Sequence, residues 1–186
     1  MKRRNLLKGL ATAPLLVAPV SRAWAAARDS VNIAELQKNW KDFLAPGADV
    51  AQTTAPLTHS NAEWRKILTP AQYGVLRAED TERPFSSPLD QEKRPGIYVC
   101  AGCSLPLFTS AMKYDSGTGW PSFFTAIPGH TGTKKDHLLI YTRTEYHCIR
   151  CGGHQGHVFD DGPPPTGQRW CNNGVALRFI PKAGKT

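Results

Sequence analysis

The strongest constraint on this chain is a pair of matched cysteine turns. Cys100-Ala101-Gly102-Cys103 and Cys148-Ile149-Arg150-Cys151 both read C-x-x-C, with 44 residues between them. Each turn can present two thiolates to one ion, and two turns complete a tetrahedral zinc site. Gly152 suits the tight turn after the second pair. Four protein ligands leave no open position, so a zinc held by Cys100, Cys103, Cys148 and Cys151 is structural rather than catalytic. The gap exceeds the usual ribbon spacing, so the fold must bring the turns together. Two other readings stay open here: disulfides in an oxidising compartment, and a redox-active C-x-x-C.

One cysteine is left over. Cys171 lies in Arg169-Trp170-Cys171-Asn172-Asn173-Gly174-Val175-Ala176-Leu177-Arg178-Phe179. As a single strand, this segment puts Arg169, Cys171 and Asn173 on one face with Val175, Leu177 and Phe179. Cys171 then stands where an inward-facing strand meets a polar pocket, and the Arg169 guanidinium is expected to favour its thiolate. The alternative is a buried structural cysteine. His154 and His157 follow the second cysteine pair in Gly153-His154-Gln155-Gly156-His157-Val158-Phe159-Asp160-Asp161. The four cysteines already saturate an ion. The histidines are therefore either core residues or the proton-handling groups that a cysteine nucleophile needs. Gly117-Thr118-Gly119-Trp120-Pro121 is a glycine turn that delivers Trp120 either to the core or to the wall of an apolar subsite.

The first 25 residues read as an address. Lys2, Arg3, Arg4 and Lys8 precede an apolar run of about 12 residues, interrupted by Pro14 and Pro19, too short to span a bilayer. Ala23-Trp24-Ala25 fits a signal cleavage site, with a second possibility after Ala27. An uncut membrane anchor is the alternative. Arg3-Arg4 followed by Asn5-Leu6-Leu7-Lys8 resembles a twin-arginine signal, which implies export of a folded bacterial protein to the periplasm. Cleavage after Ala25 removes five of the 23 basic residues and none of the 15 acids, so the formal charge falls from +8 to +3. That small excess, with no basic cluster interleaved with aromatics, argues against a zinc-ribbon module for nucleic acid.

In residues 26–59 a helix opens at Asn32-x-x-Glu35, carries Leu36, Trp40, Phe43 and Leu44, and stops at Ala45-Pro46-Gly47; residues 46–59 read as a linker. Ser60-x-x-Glu63 opens a second helix, and Thr69-Pro70 a third with Tyr73 and Leu76. Beyond Gly96, short runs predict antiparallel strands at Ile97–Cys100, Phe123–Ile127, Leu138–Thr142, Thr144–Cys148, His157–Phe159 and Val175–Ile180.

Taken in order, the two C-x-x-C pairs, GTGWPSF, CGGHQGHVFDDG and RWCNNGVALRF resemble the B-type methionine sulfoxide reductases. The resemblance spans about residues 60–181, and residues 60–186 are expected to form that domain. It implies a mainly β fold, with small antiparallel sheets in a barrel-like core, stapled by zinc and preceded by two or three helices. It implies reduction of methionine R-sulfoxide in peptides and proteins, the epimer that this enzyme type takes. It further implies Cys171 as nucleophile, His157 and His154 as groups that hold and protonate the sulfoxide oxygen, and Asn173 as a hydrogen-bond partner. Trp120 is implied as the wall for the substrate methyl, with Arg169 and Asp161 as supporting polar residues. Many members carry a resolving cysteine where this chain has Thr118. A one-cysteine cycle is therefore expected: Cys171 becomes a sulfenic acid, and an external thiol (thioredoxin-like, glutaredoxin-like or small) resolves it. A monomer with no nucleic-acid partner and no stable membrane insertion completes the expectation. A different thiol enzyme, reducing peroxide or exchanging disulfides, is disfavoured because both C-x-x-C pairs look committed to metal.

Overall fold

A computed structural model of the chain describes residues 32–136 and 142–182. The leader, and all but Thr142 of the strand expected at Leu138–Thr142, lie outside the described residues. Three helices come first: α1 (Ile33–Lys38), α2 (Asn61–Ile67) and α3 (Pro70–Ala78). Their starts follow local chemistry. The Asn32 side chain accepts from the Glu35 N–H, and Ser60 with Glu63 and Thr69 with Gln72 form reciprocal capping boxes. α1 is shorter than expected, because the chain tightens to a 3-10 turn at Trp40–Phe43. No helix among the described residues is long and apolar enough to cross a membrane.

The rest is β, as expected. β1 (Gly96–Cys100), β2 (Pro106–Thr109) and β9 (Leu177–Pro181) make a three-stranded sheet in the order β2-β1-β9. β3 (Lys113–Tyr114), β4 (Ser122–Phe123), β5 (Thr131–Asp136), β6 (Arg143–Cys148), β7 (His154–Phe159) and β8 (Arg169–Asn172) make a second sheet, ordered β3-β4-β8-β7-β6-β5. Every pairing is antiparallel. Both sheets are open, and no closed barrel is present among the described residues. Aromatic rings lock one sheet to the other: Phe108 stacks on Phe123 at 4.0 Å, Tyr98 meets Phe123 edge-on at 5.0 Å, and Phe108 meets Tyr146 edge-on at 6.1 Å. Such pairs add about 0.5–1.5 kcal/mol each beyond their buried area.

Two expectations need correction. Residues 169–179 are not one strand. β8 ends at Asn172, a 3-10 turn covers Gly174–Ala176, and the chain re-enters the other sheet as β9. Cys171 therefore shares no face with Val175, Leu177 and Phe179; its strand neighbours are Ser122 and His157. The strand expected at Phe123–Ile127 is confined to Ser122–Phe123, whereas β2, β3 and β5 carry no pattern that marked them beforehand.

Residues 46–59 are also more than a linker. The Ala51 N–H donates to the Ser104 carbonyl, beside the first cysteine turn, and the Leu57 N–H donates to the Arg150 carbonyl inside the second. Arg150 returns hydrogen bonds to the Thr53 and Ala55 carbonyls. The segment straps the two turns together.

Candidate active site and metal centre

The cysteine turns meet as their spacing suggested. Cys100 ends β1 and Cys148 ends β6, so each strand delivers one ligand and the turn after it delivers the other. The residues that follow, Ser104 and Gly152, both take a left-handed conformation with φ of 58° and 66°, so the two turns share a backbone shape. Cys100 Sγ lies 3.6 Å from Cys151 Sγ, Cys103 Sγ lies 3.5 Å from Cys148 Sγ, and all four sulfurs fall within 4.8 Å of one another. A disulfide needs about 2.05 Å. Tetrahedral zinc with bonds of about 2.3 Å needs sulfurs about 3.8 Å apart. The donor set fits zinc and does not fit disulfides.

Cys171 lies on a central strand of the larger sheet, with Ser122 of β4 on one side and His157 of β7 directly opposite on the other. Gly156 makes this register possible: a Cβ there would collide with the Cys171 carbonyl of β8. Cys171, His157, Asn173, Trp120 and Arg169 line one pocket of about 220 Å³, together with Thr81, Thr118, Arg143 and Phe159. Five of the seven expected site residues are thus brought together. His154 and Asp161 lie off its wall.

His154 reaches the site through an irregularity. In a regular strand, residues three apart point to opposite faces. Here Tyr146 pairs with Gly156 but His147 pairs with His154, so Gln155 is an extra residue, a β-bulge. The bulge turns His154 to the His157 side, with ring centroids 5.5 Å apart. His154 is only 3% exposed. Its Nδ1 lies 2.8 Å from Glu145 Oε1, and its Nε2 has no hydrogen-bond partner among the described residues. Burial works against a charge on Glu145, yet hydrogen bonds from His147 and His154 and the nearby Lys134 win, holding its carboxyl at about 2. The ionised acceptor puts a proton on His154 Nδ1 and leaves Nε2 for a ligand.

His157 has its own carboxylate. Its Nε2 lies 2.8 Å from Asp136 Oδ2, which also accepts from Arg143 at 2.6 Å. Burial pushes the His157 imidazole below its usual pKa despite the pull of Asp136, so the ring is neutral at pH 7. Arg169 makes a two-pronged pair with Asp161, Nε to Oδ1 at 2.7 Å and a terminal nitrogen to Oδ2 at 2.9 Å, over the Phe159 ring. Asp161 bears on the pocket through Arg169.

The Cys171 thiol does not follow the sequence expectation. Burial raises its pKa above the ordinary value, and the opposing pull of Arg169 and the Thr118 hydroxyl is too small to reverse that. Asp161, the partner of Arg169, adds to the effect of burial by itself disfavouring the thiolate. Alkylation of Cys171 by iodoacetamide is therefore expected to rise with pH through a midpoint above about 8.5, the ordinary thiol value. Arg169→Met removes a cation and moves the midpoint up; Asp161→Asn removes an anion and moves it down. A downward shift in the Arg169 variant contradicts this assignment.

Several contributors escaped the sequence reading. Glu145 had one faint signal, an acid placed in an otherwise β-prone run, and Asp136 had none. Glu82 had none. Its carboxylate accepts from the Gly174 and Val175 N–H groups at 2.5 and 2.9 Å, its N–H donates to Asn173 Oδ1 at 3.0 Å, and its carbonyl accepts from Trp120 Nε1 at 3.2 Å. One residue thereby positions both the turn after Cys171 and the indole wall. The Asn173 Nδ2 donates to the Gln155 carbonyl, at 3.0 Å. Gln155 in turn points its Nε2 at Cys100 Sγ, 3.4 Å away. Gln155 thus links the cysteine cluster to the pocket, its side chain touching Cys100 and its main-chain carbonyl accepting from Asn173.

Comparisons with known proteins agree with this geometry. The SelR domain model matches residues 68–181. The chain is 48% identical over 130 residues to the peptide methionine sulfoxide reductase MsrB of Agrobacterium fabrum, covering 69% of this chain and 96% of that protein. It is 52% identical over 121 residues to the MsrB of Methanosarcina barkeri, covering 64% and 85%. The MsrB of Bradyrhizobium diazoefficiens is 48% identical over 138 residues, covering 74% and 99%.

Proposed function

The chain belongs to the SelR-domain family of peptide methionine sulfoxide reductases, and from that premise we propose a one-cysteine reduction of methionine R-sulfoxide centred on Cys171. One observation carries the proposal: Cys171 and His157 face each other across paired strands in a pocket walled by Trp120.

The chemistry follows from these positions. The sulfoxide methyl packs on the Trp120 ring, which Glu82 holds by its indole N–H. The sulfoxide oxygen turns toward His154 Nε2, the buried nitrogen that lacks a partner, which donates to that oxygen once it carries a proton. The other epimer would exchange methyl and oxygen, setting a polar atom against indole and leaving the buried donor unpaired, a penalty of about 1–3 kcal/mol. At neutral pH the thiol enters protonated. His157, neutral and anchored to Asp136, receives that proton as Cys171 sulfur attacks the sulfoxide sulfur. The proton is then returned to the oxygen, which moves to the Cys171 sulfur as its bond to the methionine sulfur and the transient sulfur–sulfur bond break. Methionine leaves, its sulfur reduced by two electrons, and Cys171 is left as a sulfenic acid. A thiol then displaces hydroxide, giving water and a mixed disulfide. A second thiol releases Cys171 as free thiol and leaves with the first as a disulfide. Thr118, not a cysteine, faces Cys171, which supports resolution by an external thiol. Cys100, Cys103, Cys148 and Cys151 would hold a zinc ion as a structural staple, leaving the chemistry to Cys171 and the histidines.

The testing experiment supplies a methionine-R-sulfoxide peptide, its S epimer and dithiothreitol. Methionine is expected from the R epimer alone, and dimedone is expected to trap one sulfenic acid, on Cys171. Turnover of the S epimer at the same rate, or a disulfide to Cys171 within the chain, contradicts the proposal.

The leader completes the reading as protein repair outside the cytoplasm. Replacing Arg3 and Arg4 by lysine is expected to leave the enzyme, precursor length intact, in the cytoplasm of a bacterial host. Undiminished periplasmic activity would contradict twin-arginine export.

A further inference from the structure

The reacting pocket is too small to hold a polypeptide. Its 220 Å³ falls below the roughly 300–1,000 Å³ of cavities that take up whole small ligands, and suits one side chain. Thr118 and Arg169 on its wall also line a larger cleft of about 970 Å³. That cleft runs between residues 90–93, residues 113–118 and the turn at residues 161–164. The two shared residues set the cleft beside the pocket, so a residue whose side chain reaches Cys171 would carry its main chain out toward the cleft. Its neighbours, about 3.3 Å apart along an extended chain, then pass into the cleft.

We propose that this cleft holds the polypeptide flanking the oxidised methionine, and that Lys113 donates a hydrogen bond to a main-chain carbonyl of that polypeptide. The proposal rests on the reductase reading above. Lys113 lies on β3, half-buried, and its ammonium makes one hydrogen bond among the described residues, to the Asp90 carbonyl at 2.6 Å. An ammonium carries three donors, so two remain for a ligand. Burial lowers the Lys113 pKa against the pull of Asp90, Asp115 and Glu92, and a poorly hydrated donor gains most from a new acceptor. The acceptor is main chain rather than an acidic side chain for a reason of charge. Asp90, Glu92, Asp115 and Asp161 outnumber Lys93, Lys113 and Arg169 along the cleft, and Arg169 is already paired. A carbonyl is neutral and occurs at every residue, so the cleft would accept many sequences.

The test compares free L-methionine R-sulfoxide with a seven-residue peptide carrying the same group at its centre, using dithiothreitol as reductant. Wild type is expected to favour the peptide in kcat/KM by tenfold or more. Lys113→Met, which keeps the packed stem, is expected to cut that preference roughly three- to tenfold, the size of one lost hydrogen bond. Lys113→Arg is expected to restore part of it. No peptide preference in wild type, or an equal loss on both substrates with Lys113→Met, overturns the proposal. So does an unchanged preference in Lys113→Met with a raised KM for a thioredoxin-like protein, assayed in place of dithiothreitol; that result would give the cleft to the reductant instead. Failure of wild type on both substrates would sink the reductase reading itself, a distinguishable outcome.

Discussion

The Cys171→Ser variant is expected to fold, bind zinc and fail to turn over methionine R-sulfoxide, with activity down by roughly 10⁴-fold or more. That is the scale of loss when a covalent nucleophile is removed. Serine is nearly isosteric, and the ladder hydrogen bonds of β8 to β4 and β7 run through the backbone, so the strand has no reason to shift. A hydroxyl, however, is a far weaker nucleophile toward sulfur and cannot carry oxygen as a sulfenic acid. Methionine released from a peptide, measured by chromatography, is the readout; circular dichroism and metal content are the controls. Residual turnover within tenfold of wild type would remove Cys171 from the chemistry.

Breaking the metal centre should have the opposite signature. With Cys148→Ser, zinc content is expected to fall well below one per chain and the cooperative thermal transition to be lost or moved below 37 °C. Structural zinc contributes an apparent 10–16 kcal/mol in small zinc peptides, against a total stability of about 5–15 kcal/mol for ordinary domains. Cys148 ends the strand that carries Glu145 and Tyr146, and Gln155 joins the cluster to Asn173. Activity should therefore fall with the fold rather than separately. Inductively coupled plasma analysis and far-ultraviolet circular dichroism check this. A variant with wild-type stability and no zinc would show that the four cysteines hold no structural metal.

The two experiments separate roles that looked different even in sequence. Two C-x-x-C turns of one spacing announce a shared ion because ligand spacing is local chemistry, acting over four residues. The caps at Ser60 and Thr69 are legible for the same reason, each being a contact across one helical turn. The lone cysteine stood out by subtraction once four others were committed to metal.

Longer-range features were less legible. The face expected for Cys171 was misplaced because alternation holds only while a strand continues, and nothing local at Asn173-Gly174 signals that the chain changes sheets. The thiol was expected to be acidic from its neighbour Arg169. Burial outweighs that cation, and burial belongs to the whole fold. Residues 46–59 lacked periodicity because their role is to exchange backbone hydrogen bonds with two distant turns.

The amino-acid sequence alone therefore determined the metal ligands, the helix starts, the identity of the free cysteine and the resemblance that pointed to a reductase. Each rests on residues close together in the chain or on a motif set in order. Only the tertiary structure decided how the site is assembled. The bulge at Gln155 brings His154 beside His157, β8 sets Cys171 opposite His157, and Glu82, Glu145 and Asp136 arrive from other elements to hold the side chains of the candidate site. The physical reason is that side chains on a strand repeat every two residues. One inserted residue, or one exchange of partner strand, reassigns a face, and the register that makes that choice is set by packing across the whole domain.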